Sequence, residues 1–347
     1  MENRQNELID VASVELGTQV IYTTDDFFAS ADRMLDPNPP VFKDEYDEHG
    51  HWMDGWETRR RRDDGNDYCI LKLGQVSRII ELEIDTSYFK GNYPPSASVK
   101  GCYAPDAKDE EIIANPDNFE WFNLMKQTDL KPHDIFTTQS SFQQSVTHLK
   151  IDIFPDGGIA RFRAYGFISF DHKLFEKTNI NVLSRRTGAR AVYANNEFFG
   201  ELKNIIKVTE AKNMGDGWET RRRREPGYDW GIIELSNPAI VDNLMIDTKF
   251  FKGNYPDYFS LHAAYIPNTT YSSVVTQSIF WEELLPKQKL QMDQKHYFDN
   301  SYFLHNKPIT HIRINIFPDG GISRLRLYGR FIKHKEAEKL LCESSSL

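Results

Sequence analysis

Three cysteines in 347 residues (Cys69, Cys102 and Cys342) are too few for a disulfide framework, and such usage points to a reducing compartment. The apolar runs span only a few residues, far short of the ~20 that cross a bilayer as a helix, so a helical membrane protein is excluded. The first residues carry Glu2, Arg4, Glu7 and Asp10 where a secretory leader would have its apolar stretch. A basic surplus is missing as well: 42 Lys and Arg stand against 51 Asp and Glu, a formal charge of −9. Nucleic acid is therefore not expected as the main partner. There is no Gly-rich phosphate loop, no Ser nucleophile elbow and no zinc signature. What remains is ordinary globular composition, with 39% hydrophobic and 27% charged residues. The length suits roughly two domains of ~150 residues.

An internal repeat organises the chain. Asp54-Gly55-Trp56-Glu57-Thr58 with Arg59 to Arg62 recurs as Asp216-Gly217-Trp218-Glu219-Thr220 with Arg221 to Arg224, an offset of 162. Phe89-Lys90-Gly91-Asn92-Tyr93-Pro94 recurs at the same offset as Phe251-Lys252-Gly253-Asn254-Tyr255-Pro256. At an offset of 163, Thr147-His148 matches Thr310-His311, and Phe154-Pro155-Asp156-Gly157-Gly158-Ile159 matches Phe317-Pro318-Asp319-Gly320-Gly321-Ile322. Arg161, Arg163 and Tyr165 match Arg324, Arg326 and Tyr328. Near the front the offset is 171, so the first copy carries about nine extra residues before its Trp motif. A period of this size is a whole domain. The expected division is a first repeat over 12–170, a polar linker over 171–186, a second repeat over 187–335 and a tail over 336–347, with a short amphipathic helix over 335–342.

Each copy reads as β-rich. His148 to Ile153 and His311 to Ile316 alternate polar and apolar residues, the period of a strand with one buried face. The Pro-Asp-Gly-Gly that follows is turn chemistry, and alternation resumes at Arg161 to Gly166, which predicts a hairpin with Arg161 and Arg163 on one face. Further strands are expected over 68–73, 78–85 and 98–104, and short helices over 26–34 and 196–206. Many short strands separated by turns favour an all-β antiparallel sandwich or jelly roll.

The repeated polar residues are the candidates for chemistry. In an extended Trp56 to Arg62, alternate arginines face opposite ways, so at least one guanidinium per copy needs a carboxylate partner or a ligand. It could clamp a substrate carboxylate, belong to an ion-pair network with Glu57 or Asp54, or lie on a solvated face. Asp156 and Asp319 sit in turns that favour Asp on conformational grounds alone, yet turns on a rigid sheet also carry function. His148 and His311 suit proton transfer, or equally a cap on a neighbouring loop. Asn92 and Asn254 could bind an amide-like group or satisfy their own turns. Trp56 and Trp218 read as core anchors more readily than as stacking platforms. His49-Gly50-His51 lies in an acidic stretch with no counterpart in the second copy and fits no zinc spacing, so it reads as a solvated loop.

Taken together, the paired Asp-Gly-Trp-Glu-Thr-Arg-Arg and Phe-Lys-Gly-Asn-Tyr-Pro motifs, and Thr-His followed by Phe-Pro-Asp-Gly-Gly-Ile with Arg-x-Arg and Tyr-Gly, resemble the allantoicase family over about 12–332. The resemblance implies two tandem β-sandwich jelly-roll domains of the galactose-binding-like type, assembly into a homo-oligomer, and hydrolysis of allantoate to ureidoglycolate and urea in purine degradation. On that chemistry, Glu57, Asp156 and His148, with Glu219, Asp319 and His311, are expected to transfer protons. Arg60, Asn92 and Arg161, with Arg222, Asn254 and Arg324, are expected to bind substrate. No cofactor and no metal ligand set is assigned. A divalent metal stays open, because Asp and Glu near His could hold one although no spacing demands it. The expected partner is a small-molecule substrate, with no nucleic acid and no membrane. The rival reading is a non-catalytic, bivalent binder of a small ligand or carbohydrate; a third is a different ureido or guanidino hydrolase. The compartment is cytoplasmic by default; Ser345-Ser346-Leu347 loosely resembles a peroxisomal address but lacks its basic middle residue.

Overall fold

The structure is a computed structural model that describes residues 8–170, 172–267 and 269–344. The N-terminal charges Glu2, Arg4 and Glu7, residue Asp171 of the expected linker, and Ser345-Ser346-Leu347 lie outside the described residues. The described residues divide into two compact units, Leu8–Ser169 and the part of the chain from Phe170 onwards. No described helix is long and apolar enough to cross a membrane.

Each unit is built around one strand of 19 residues, Asp67–Asp85 in the first and Asp229–Asp247 in the second. Two strands, 68–73 and 78–85, were expected where the first of these runs unbroken. Its first half pairs with Gln19–Thr23 and Ser145–Phe154, and its second half with Ile135–Gln139 and Arg161–Ile168. The register against Ser145–Phe154 slips between Lys72 and Ser77. At that irregularity the strand passes from one layer of the sandwich to the other. Asp229–Asp247 repeats the pattern, slipping between Glu234 and Ala239. The two layers close on alternate apolar residues: Leu71, Leu82, Ile84, Leu149, Ile151 and Phe162 in the first unit, and Ile233, Leu244, Ile246, Ile312, Ile314 and Leu325 in the second.

The structure corrects three local expectations. Ser145–Phe154 and Arg161–Ile168 do not pair as a hairpin, because the long strand lies between them in the sheet order and bonds to both. The intervening Gly158–Ile159 pairs instead with Trp56–Glu57. The helices expected over 26–34 and 196–206 are reduced to the 3₁₀ turns Ala31–Leu35 and Leu202–Ile206. The backbone before each turn is committed elsewhere: Ala29 exchanges both hydrogen bonds with Glu57, and Gly200 does so with Glu219. Within the expected linker, Ile180–Asn181 forms an edge strand on Arg324–Phe331, and Val182 and Leu183 are fully buried in the second core. The C-terminal helix runs over His334–Ser344.

Candidate functional site

The repeated motifs meet at one end of each sandwich. In the first unit, Thr58 and Gly157 exchange backbone and hydroxyl hydrogen bonds of 3.1–3.2 Å, and the Gly158 N–H donates to the Asn92 carbonyl at 2.7 Å. Gly157 is obligatory there. Its φ is +139°, and a Cβ would stand 2.5 Å from the Pro94 nitrogen. Thr220, Gly320, Gly321 and Asn254 make the same contacts in the second unit.

Most of the polar candidates prove to be fastenings of this junction. Arg161 is 3% exposed and every guanidinium nitrogen is engaged: Nη2 with the Asp54 carboxylate at 2.7 Å, and the others with carbonyls of Asn38, Asp54 and Ala160. Arg324 does the same with Asp216 at 2.7 Å and carbonyls of Thr209, Asp216 and Ser323. Arg161, with a further bond from Nη2 to the Pro39 carbonyl, has no donor left for a substrate carboxylate, and Arg324, 1% exposed, keeps a single N–H of Nη2. Asp156 accepts from the Arg61 backbone N–H at 2.9 Å, and Asp319 from that of Arg223 at 2.8 Å, so each turn aspartate holds the arginine run in place. Trp56 and Trp218 are fully buried, donating their indole N–H to the Asp25 and Asn196 carbonyls. They are core anchors.

The histidines are remote from the junction. His148 pairs in register with Lys72, six residues and ~20 Å along its strand from Phe154. It is 1% exposed, with Nδ1 at 2.9 Å from the Thr147 hydroxyl and Nε2 unpartnered among the described residues. Burial pushes its pKa down to about 4, with Lys72 adding to the effect. His311 is likewise buried, 3.0 Å from the Thr310 hydroxyl, and pushed down to about 4. Both belong to the sheet interior and cannot reach a substrate bound at Glu57 or Glu219. Arg60 and Arg222 are exposed and do not line the cleft described next.

What the first unit does assemble is a cleft of about 320 Å³ around Glu57 and Asn92. The Asn92 amide donates to Glu57 Oε1 at 2.6 Å. Burial raises the Glu57 pKa, and the Asn92 hydrogen bond and the nearby His51 offset part of the rise. The remaining walls are Phe28, Phe42, Gly50, His51, Met53, Tyr88, Lys90 and Gly91. Lys90 is exposed and makes no ion pair among the described residues. Tyr88 holds φ at +72°, an uncommon conformation for a bulky residue, with its N–H donated to His133 Nδ1 at 2.8 Å. His51 comes from the insert, whose Tyr46–Asp47 and Gly50–His51 form a small two-stranded ribbon. Its ring stacks on Phe42 at 5.7 Å and its Nε2 lies 3.5 Å from Asp44. The solvated-loop expectation holds for His49, which is exposed, and fails for Gly50 and His51, which supply a wall of the cleft. No group of three or more His, Cys, Asp or Glu side chains stands in a metal-holding arrangement among the described residues.

The second unit keeps the pair and changes its surroundings. Asn254 donates to Glu219 at 2.5 Å. Phe250 replaces Tyr88, its N–H donated to Asp293, and Lys252, the counterpart of Lys90, lies 3.8 Å from the same carboxylate. The insert, and His51 with it, has no counterpart.

A family model described as the allantoicase repeat matches residues 9–169 and 180–332. Among curated proteins, a probable allantoicase 1 of Burkholderia mallei is 44% identical over 94% of this chain and 95% of its own. A probable allantoicase of Stutzerimonas stutzeri is 42% identical over 94% and 97%. Among solved structures, allantoicase from Saccharomyces cerevisiae superposes with a TM-score of 0.69 at 29% identity, covering 94% of each chain.

Proposed function

Because the chain belongs to the allantoicase family, we propose that it hydrolyses allantoate to ureidoglycolate and urea, and that the Glu57–Asn92 cleft of the first repeat is where it does so. The observation that carries the site is the convergence, in one cleft, of a carboxyl group with a raised pKa, an amide, an imidazole, a phenol and an unpaired ammonium. The second repeat has lost the imidazole and the phenol, and its lysine faces a carboxylate.

Allantoate is a carboxylate whose α-carbon bears two ureido groups. Lys90 holds the carboxylate. Glu57, whose burial favours the protonated carboxyl, gives its proton to the departing ureido nitrogen. The α-carbon–nitrogen bond breaks, the lone pair of the remaining ureido nitrogen forms a C=N bond, and urea leaves. Water then adds to that carbon, returning the electron pair to nitrogen. The proton that water releases goes to His51 and back to Glu57. Asn92 fixes the Glu57 carboxyl for the first step and Tyr88 donates to a urea carbonyl. No covalent nucleophile enters.

The same reading takes the protein as a cytoplasmic homo-oligomer. Assembly is supported by the family resemblance, and a reducing compartment by the free, buried thiols of Cys69 and Cys102. Sedimentation of the purified chain tests the assembly.

The experiment for the activity is urea release from allantoate by the purified protein, with and without a chelator. Turnover with ureidoglycolate as co-product is expected, and the chelator arm reports any metal dependence. A folded protein that releases no urea, even with added divalent ions, overturns the reading in favour of a binding protein.

A further inference from the structure

A cleft of the second repeat lies at a different place from its Glu219–Asn254 pair. It has a volume of about 730 Å³ and is walled by the four consecutive arginines Arg221 to Arg224, with Asn196 and Phe198 opposite. The first repeat carries the same four-arginine run, with carboxylates on two of the four. There Asp25 grips Arg59, with 2.6 Å to Nη2 and 2.8 Å to Nε, and Asp63 takes Arg61 Nε at 2.8 Å. In the second repeat Asp25 is replaced by Asn196 and Asp64 by Pro226. Asn196 accepts only a backbone N–H from Arg221, at 3.4 Å. The side chains of Arg221, Arg222 and Arg224 make no hydrogen bond or ion pair among the described residues.

Arg223 carries the most specific sign. Its Nη2 is paired with the fully buried Asp229 at 2.9 Å, yet its Nε is buried with no partner, where the matching Arg61 Nε is satisfied. An unsatisfied buried donor is costly, and here it belongs to a residue lining an open cleft. Three carboxylates share the wall with the four arginines, Glu197, Glu225 and Asp229; Glu197 Oε1 accepts the Leu202 N–H at 2.8 Å and Asp229 is taken by Arg223. With the Asp25 carboxylate replaced by the Asn196 amide, four arginines stand against three carboxylates and the cleft keeps one cation in excess. Phe198 is 69% exposed beside it, offering an apolar face to the body of a ligand.

We propose that this cleft is a binding site for a small, multiply charged oxyanion, distinct from the catalytic cleft and independent of how that cleft is read. Guanidinium forks match phosphate and carboxylate oxygens alike, and the volume exceeds what a lone carboxylate would fill. The ligand is a compact molecule bearing two or more such groups, held by Arg221, Arg222 and Arg224.

The test is calorimetric titration and thermal melting of the full chain with inorganic pyrophosphate and, separately, citrate, each against potassium chloride of equal ionic strength. Saturable binding of at least one, with a raised melting temperature, is expected. Pyrophosphate alone would identify phosphate chemistry, and citrate alone polycarboxylate chemistry. The double variant Arg222→Gln/Arg224→Gln should weaken binding about tenfold or more, since it removes charge-assisted hydrogen bonds. Its unliganded melting temperature should match the parent, because both side chains are exposed. Arg60→Gln/Arg62→Gln, the same change in the first repeat, should leave binding intact. Equal loss in both double variants, or no effect beyond that of chloride, overturns the site.

Discussion

Arg161 and Asp54, 107 positions apart, meet at 2.7 Å in the first repeat, and Arg324 and Asp216 make the same bond at 2.7 Å in the second. Both arginines are almost completely buried, and both aspartates belong to the Asp-Gly-Trp-Glu-Thr motif. Arg161→Met strands the Asp54 carboxylate in the interior. It should cost about 3–5 kcal/mol, the usual penalty for removing one partner of a buried pair, read as a lowered urea midpoint. The KM for allantoate, measured where the variant is still folded, should not change; a large rise would return Arg161 to the substrate.

Glu57→Gln should lower kcat by about 100-fold or more, the usual scale of a lost general acid, while Glu219→Gln should leave it within about twofold, as for a substitution away from the reacting atoms. The measurement is urea release at saturating allantoate. Equal losses in the two variants would mean that both repeats catalyse.

The pH dependence follows from the same residue. Burial raises the Glu57 pKa, and the Asn92 hydrogen bond, which favours the carboxylate, lowers it. Activity that needs the protonated form falls as pH rises through that value. Asn92→Ala removes the lowering contribution, so the alkaline limb of kcat/KM should move to higher pH, whatever happens to the plateau. A limb that stays in place would separate Glu57 from the proton transfer.

His51→Ala should reduce kcat by about 10–100-fold if the imidazole takes the proton from water, and the melting temperature should change little because the residue is partly exposed. Kinetics and melting on the same preparation distinguish this outcome from loss of the insert's fold.

His148 and His311 act on stability instead. Each has a folded pKa of about 4 against an ordinary 6.5. The unfolded chain therefore binds more protons between those values, and the stability these groups contribute, complete above about pH 6.5, is lost as pH falls towards 4. The full shift at one site corresponds to about 3 kcal/mol. His148→Gln should flatten the fall in melting temperature between pH 7 and pH 5.

The sandwich was legible in the sequence because alternation has a direct physical cause. His148 to Ile153 and His311 to Ile316 place every second residue in the core, and their strands follow. The hairpin was misread because alternation on both sides of a turn says nothing about a third strand lying between. The site was legible in part. Glu57 and Asn92, which the structure brings into one cleft, were singled out because they recur in both copies. Arg161 was assigned to substrate because a buried arginine and a ligand-binding arginine look alike until Asp54 is seen beside it. Lys90 and Tyr88 stood in or next to the repeated Phe-Lys-Gly-Asn-Tyr-Pro loop, and that loop was the signal for both. His51 was set aside because it has no match in the second copy, and that lack of a match is what makes the first cleft different.

The junction around Glu57 has a temporal consequence. Its fastenings tie Arg61 to Asp156 and Thr58 to Gly157, contacts spanning 95 and 99 residues, with Arg161 to Asp54 longer still. While a ribosome is making the first repeat, the Trp motif emerges roughly a hundred residues before the turn that must seat it. The cleft can assemble only after the last strand of the repeat has left the exit tunnel, so a nascent chain halted before Arg161 holds the acid and the amide but no pocket to keep them together.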